Sequence, residues 1–299
     1  MMFRILLSTG CTLEELGTEP AIKGPWQDQV EELISIANEH GARPWRGPLA
    51  VAEVFPRLRS LQYRIQPALE RVWRPVRSAQ SLHTLRVADP GHFDAALLPP
   101  TLTVLDLQVL DLHQTECLAS LTRLVVLKLD PTFLDQFSSP GALEQMSQMV
   151  CWAELVELDL GWTSNRWADG VLARLGQAAP RLQVMRLVGA TAFAASFRWQ
   201  GLPRLEHVVL SSPAAPAGSI MPVQWHGAAS RIELRRIRLV PATCQQMLRL
   251  CRLLVLVDVE LVGWGPIERL EVPLTASWLC RDMSPDDQQV LERVLGPAR

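Results

Sequence analysis

The groups in this chain best suited to chemistry are its cysteines, histidines and clustered charges, and their spacing argues against most catalytic uses. His113 and Cys117 stand four apart, a spacing that on one helix face would let an imidazole take a thiol proton. A lone pair of this kind beside a strand end is ordinarily structural. Cys11, Cys117, Cys151, Cys244, Cys251 and Cys280 show neither CxxC spacing nor alternation with His, so no metal site is expected. Asp286 and Asp287 are paired carboxylates, but Ser284-Pro285 before them makes them a helix first turn, where acids complement the dipole. The chain carries no GxSxG, no GxGxxG and no P-loop. The expectation is a protein with no catalytic residues and no cofactor, and the informative side chains are those that could bind.

Those side chains are positioned by an internal repeat. An aliphatic-x-x-aliphatic-x-aliphatic frame starts at Leu58, Leu82, Leu102, Leu124, Leu155, Leu182, Leu205, Leu234, Leu254 and Ile267. Pro-Arg-Leu recurs at 56–58, 180–182 and 203–205, and each time its Leu opens the frame. Proline ends a preceding helix and cannot donate to a ladder, so it punctuates just before strand pairing begins. Between frames the pattern turns helical: Val171, Leu172 and Leu175 share a face, as do Cys244, Met247 and Leu248, and Ser139-Pro140 opens a helix through Val150. A strand–loop–helix unit of this length can bury its apolar edge only against its neighbours, which makes a solenoid.

Alternation along each strand assigns the remaining positions to the open, concave face. The central column reads Gln62, Arg86, Asp106, Lys128, Asp159, Arg186, Val209, Arg238, Asp258 and Glu271. Arg86, Asp106, Lys128, Asp159 and Arg186 alternate in sign, at about 4.8 Å between neighbouring parallel strands. They form either a self-neutralising ladder or a polar recognition row, and the two are compatible. The flanking column holds Val104, Val126 and Val184, an apolar strip beside the charges, although β-branched residues also simply favour strands. In the loop Gly161–Trp167, Trp162, Arg166 and Trp167 lie just after a strand, and Trp and Arg are the residues most enriched at binding hot spots. Arg235, Arg236 and Arg238 form the one basic cluster; Asp258 and Glu260 follow, so pairing is expected there rather than nucleic-acid binding.

Leu155 to Leu187, with its Leu-x-x-Leu-x-Leu strand, Ala-Asp-Gly-Val-Leu-Ala-x-Leu helix and Ala-Pro-Arg-Leu restart, resembles a leucine-rich repeat of the longer ribonuclease-inhibitor-like or cysteine-containing type. The resemblance implies an α/β solenoid with a curved parallel sheet on the concave side, helices and irregular turns outside, and a concave face that usually binds a protein. The ninth position of each frame lacks the Asn common in such repeats, so an irregular solenoid of about nine or ten repeats is expected over 55–274. Residues 1–54 are expected to be an N-terminal cap with one helix from Pro25 through Glu39, preceded by a short strand near the start; 275–299 are expected to be a C-terminal capping helix.

The 299 residues are 48% hydrophobic and 20% charged, with a net charge of −2, a pI near 6.3 and a mean hydropathy of +0.11. This is a globular composition, unlike a generally cationic nucleic-acid binder, and no apolar run reaches bilayer length. The expected function is a non-enzymatic, cytoplasmic scaffold that binds a protein on its concave face and rim loops, with no nucleic acid and no membrane. Two alternatives share these features: a structural subunit of a large assembly, and the substrate-recognition component of a ubiquitin ligase.

Overall fold

The structure is a computed structural model that describes residues 3–8, 30–36, 57–64, 79–113, 115–129, 152–161, 177–188, 196–198, 202–211, 224–226, 229–265, 270, 272–273 and 276–297. The chain divides into two compact units, Met1–Phe133 with Met149–Leu155 and Leu134–Gln148 with Val156–Arg299, each considered by itself.

In both units the frame leucine follows a one-turn bend. The amide of Leu82 donates to Ala79 O, Leu102 to Pro99 O, Leu124 to Leu121 O, Leu155 to Trp152 O, Leu182 to Ala179 O and Leu205 to Leu202 O, all between 3.0 and 3.3 Å. Pro180 and Pro203 therefore sit second in a four-residue turn, where proline's fixed φ is already suitable and its missing amide costs nothing. Immediately after the bend, one carbonyl accepts two successive amides of the next coil at several steps in each unit. Arg59 O takes His83 N and Thr84 N, His83 O takes Thr103 N and Val104 N, and Gln183 O takes Glu206 N and His207 N. Both lone pairs of the carbonyl are used, so the strand entrances are satisfied without an Asn ladder.

In the first unit the strands are β1 (Phe3–Ser8), β2 (Val30–Ile36), β3 (Ser60–Arg64), β4 (Thr84–Asp94), β5 (Val104–His113) and β6 (Val126–Leu129). They pair in chain order and all in parallel. The second unit contains β7 (Glu157–Gly161), β8 (Val184–Val188), β9 (Ser196–Arg198), β10 (His207–Ser211), β11 (Gln224–His226), β12 (Ala229–Arg235), β13 (Arg238–Leu239), β14 (Cys251–Val257), β15 (Glu260–Leu261) and β16 (Ser277–Arg281). Here β7, β8, β10, β12, β14 and β16 form the main parallel ladder, while β9 with β11 and β13 with β15 give the coils a second hydrogen-bonded side. Successive parallel strands with leucines stacked inside make each unit a parallel β-solenoid of the leucine-rich type.

Stacking is what stabilises it. Leu85, Leu105 and Leu127 form one inward column in the first unit, and Leu158, Met185, Val208, Ile232, Leu254 and Trp278 form its counterpart in the second; all are buried. Each such aliphatic side chain contributes about 1.5–3 kcal/mol relative to exposure. Helix α1 (Pro241–Leu250) starts on its proline and buries Cys244, Met247 and Leu248, as its sequence predicts. Helix α2 (Pro285–Leu295) buries Leu291, Val294 and Leu295. Gln177 and Ala178 are helical; the rest of the helix expected over 168–178, and the one expected after Ser139, lie outside the described residues.

Two expectations need correction. The helix over Pro25 to Glu39 is replaced, over its described part, by strand β2, paired in parallel with both β1 and β3. Val30, Leu33 and Ile34 satisfy a helical period, but the same stretch carries β-branched Val30, Ile34 and Ile36, and a ladder on both sides outweighs local propensity. The frame also shifts beyond β10. Register places His207 opposite Arg231 and Arg231 opposite Leu253, so the coils open at Ala229 and Cys251 rather than Leu234 and Leu254. The next main strand is β16, opposite β14, rather than a repeat opening at Ile267. Ala229 and Cys251 are buried in the frame-leucine position, where a small side chain leaves no leucine signature.

Candidate functional site

With the inward columns fixed, the outward positions of each unit follow. In the first unit, Arg86, Asp106 and Lys128 are register neighbours across β4, β5 and β6, as are Thr84, Val104 and Val126. Arg86 is exposed and the other five are half-buried. The sequence-derived row is therefore brought together here, with the valines beside it. In the second unit, Asp159 and Arg186 are opposed in register, next to Glu157 and Val184. The guanidinium of Arg186 reaches diagonally, with Nη1 donating to Glu157 Oε1. Trp162, Arg166 and Trp167 lie outside the described residues.

Beyond Arg186 the central column differs from its sequence assignment. Register gives Val209, Glu233 and Val255 in place of Val209, Arg238 and Asp258. Glu233 is 3% exposed, and Val209 and Val255 are buried on either side of it. A buried carboxylate is costly unless hydrogen-bonded and paired. Arg231 Nη2 donates to Glu233 Oε2 at 2.7 Å, and Arg235 Nε donates to Glu233 Oε1 at 2.5 Å. All three residues lie on β12 at alternate positions, so one strand aims all three side chains at the same face.

His207, opposite Arg231 on β10, places Nε2 at 3.6 Å from Glu233 Oε2, beyond hydrogen-bond reach. His207 Nε2 and Arg231 Nε are both buried and without a hydrogen-bond partner. Burial pushes the His207 imidazole below its ordinary value, and the Arg231 charge adds to this against the opposing pull of Glu233. For Glu233, burial would raise the carboxyl, but the hydrogen bonds from Arg235 and Arg231 outweigh it and hold the group below its ordinary value. The site therefore holds an ionised carboxylate gripped by two guanidiniums, beside a neutral imidazole. What it can do chemically is present oriented cationic donors to an anionic group.

The basic cluster read from the sequence divides accordingly. Arg235 faces Glu233, Arg236 occupies the turn, and Arg238 Nε donates to Glu260 Oε2 at 2.9 Å across the β13–β15 ladder. Glu233 was missed because the shifted frame set Arg238 in its column; the signal that finds it is Ala229-x-x-Ile232-x-Leu234, the correct frame with alanine in the leucine slot. His113 ends strand β5 while Cys117 lies in the 3-10 turn Thr115–Ser120, so the two do not share a helix face. A separate cavity of about 540 Å³ opens at the strand entrances of the second unit, lined by Arg204, Arg249 and Arg252 with Glu206 and Ser230.

No family model matches the chain, and no curated protein does. Among solved structures it is similar to a crystal structure of an internalin from Listeria monocytogenes, at 11% identity over 85% of this chain and 68% of that one, with a TM-score of 0.38.

Proposed function

We propose that this protein is a non-enzymatic interaction scaffold whose partner is a protein bound on the open face of the parallel strands and along their rim loops. The observation that carries the reading is the register-aligned row Arg86–Asp106–Lys128, with Val104 and Val126 beside it on one face. Mixed charge next to aliphatic surface suits a polypeptide, whereas a polyanion requires a continuous cationic stripe. Asp159, Arg186 and Val184 form a like row within the second unit, and the proposal assigns partner contacts to Trp162, Arg166 and Trp167, which lie outside the described residues. A cytoplasmic location is part of the proposal, and the free thiols of Cys117, Cys244, Cys251 and Cys280 suit a reducing compartment.

Site-specific photo-crosslinking in the native cell tests this. A benzophenone side chain placed at Gln62, Asp106 or Asp159 should capture one and the same protein, while the same group at Arg249 on α1 or Gln289 on α2 should not. Equal capture from all five positions, or none from the first three, would overturn the proposal.

A further inference from the structure

We propose that Arg231 and Arg235, held by Glu233 on β12, form the seat for a single acidic side chain of the protein partner. This rests on the reading that the partner lies on the open face, and it names the chemistry recognised there. Each guanidinium carries five donors, and Glu233 engages Nη2 of Arg231 and Nε of Arg235. With its Nε committed to Glu233, Arg235 presents its terminal nitrogens on a side chain that is 51% exposed, and the Arg231 side chain beside it is 39% exposed. A planar guanidinium fork matches a carboxylate through two parallel hydrogen bonds. Glu233 beneath it fixes the orientation in advance, which lowers the ordering cost on binding. The three groups together leave one net positive charge, because Glu233 neutralises only one of two arginines.

The neighbours decide the kind of anion. In register with Arg235 stand Ser211 and Val257, in register with Arg231 stand His207 and Leu253, and in register with Glu233 stand Val209 and Val255. The groups facing His207 are Arg231 and Glu233 from β12 and Arg186 from β8, itself paired with Glu157. Val209 and Val255 are buried, so the excess charge is a point bordered by half-buried Leu253 and Val257, not a stripe. A nucleic acid gains affinity by neutralising several phosphates in succession, which this arrangement does not offer. One aspartate or glutamate on an otherwise apolar peptide surface fits it.

The test is selection of dodecapeptides from a random phage library on the full chain, followed by affinity measurements with the selected peptides. The expected result is an Asp or Glu fixed at one peptide position and a loss of roughly tenfold or more on Arg235→Gln or Arg231→Gln. Arg204→Gln and Arg252→Gln, in the strand-entrance cavity, should leave affinity unchanged. Arg235→Lys keeps the charge without the fork and should also weaken binding, which covers the case that the glutamine variant fails to fold. Peptides lacking a fixed acid, or acidic peptides indifferent to Arg235, would overturn the proposal. So would a 20-nucleotide single strand, assayed alongside, that bound more tightly than the peptides and with the same dependence on Arg235. If the crosslinks map to the open face and no acidic peptide is selected, this seat fails and the scaffold reading stands; acidic peptides without open-face crosslinks would fault the scaffold reading instead.

Discussion

Arg235 and Glu233 stand two apart on one strand, and a 2.5 Å hydrogen bond from Arg235 Nε fixes a carboxylate that is 3% exposed. Because the folded carboxyl binds its proton more weakly than the unfolded one, the stabilisation is present above the ordinary value of 4.5 and is lost as pH falls through the lower folded value. His207 acts in the same direction at higher pH. Below its ordinary value of 6.5 the unfolded imidazole takes up a proton that the folded one resists, so stability declines on acidification through that range. Urea midpoints measured between pH 8 and pH 3 should therefore fall in two stages. His207→Gln should remove the upper stage and leave the lower; a midpoint flat from pH 8 to pH 5 in the unaltered protein would refute the assignment.

Arg236 and Asp258 occupy equivalent positions in successive coils, each one residue past a main strand, with φ of 54° and 51°; Asp282 repeats the position at 54°. The Arg236 amide donates to Val257 O and the Asp258 amide to Arg281 O, both at 3.0 Å, so this left-handed residue extends the ladder while turning the chain away from it. Aspartate and asparagine ease this conformation through local side-chain hydrogen bonding, a compensation that arginine lacks. Arg236→Asn should raise stability by about 0.5 kcal/mol, and Arg236→Val should lower it by about 1 kcal/mol or more. Thermal or urea unfolding of both variants checks the order, and a valine variant as stable as the asparagine one would contradict it.

How far the sequence reveals this fold depends on what fills the slot before each strand. Leu182 and Leu205 open β8 and β10 because proline two residues earlier pre-sets the turn, a constraint written in residue type. Ala229 and Cys251 fill the same buried slot with little side chain, so the leucine pattern lapses, and Leu234-x-x-Ile237-x-Leu239 satisfies the frame five residues late. Glu233 consequently escapes notice although its strand is plain. The charged row is readable as register, since alternation dictates which residues face outward. The diagonal reach of Arg186 to Glu157 is not, because a long side chain selects among several acids by packing that no spacing rule encodes.

Ser284 at the start of α2 has a measurable duty. Its hydroxyl accepts from the Asp287 amide at 3.1 Å and donates to Asp287 Oδ2 at 2.8 Å, and Pro285 follows at the first helical position. Capping satisfies an amide that has no partner within the helix. Ser284→Ala should cost about 1 kcal/mol and Ser284→Asn, which can both accept and donate, close to nothing. Urea denaturation of the two variants distinguishes this from a solvated, dispensable loop residue, for which both changes would be silent.

The thiols provide a direct readout of the stacked interior. Burial pushes the thiols of Cys244 and Cys251 up to about 12, and proximity to Cys251 adds to the shift at Cys244. The thiolate is the species that alkylates, so at pH 8 both are almost entirely in the unreactive form as well as shielded by side chains on every side. Cys117 and Cys280 are only half-buried, although burial, with Glu292 nearby, also raises the Cys280 thiol. Among these four, iodoacetamide at pH 8, followed by peptide mass mapping, should modify Cys117 first, Cys280 more slowly, and Cys244 and Cys251 only when urea opens the coils that bury them. Labelling of Cys244 under native conditions at the rate of Cys117 would mean that α1 does not seal against β14, and with it the stacking of the second unit would have to be redrawn.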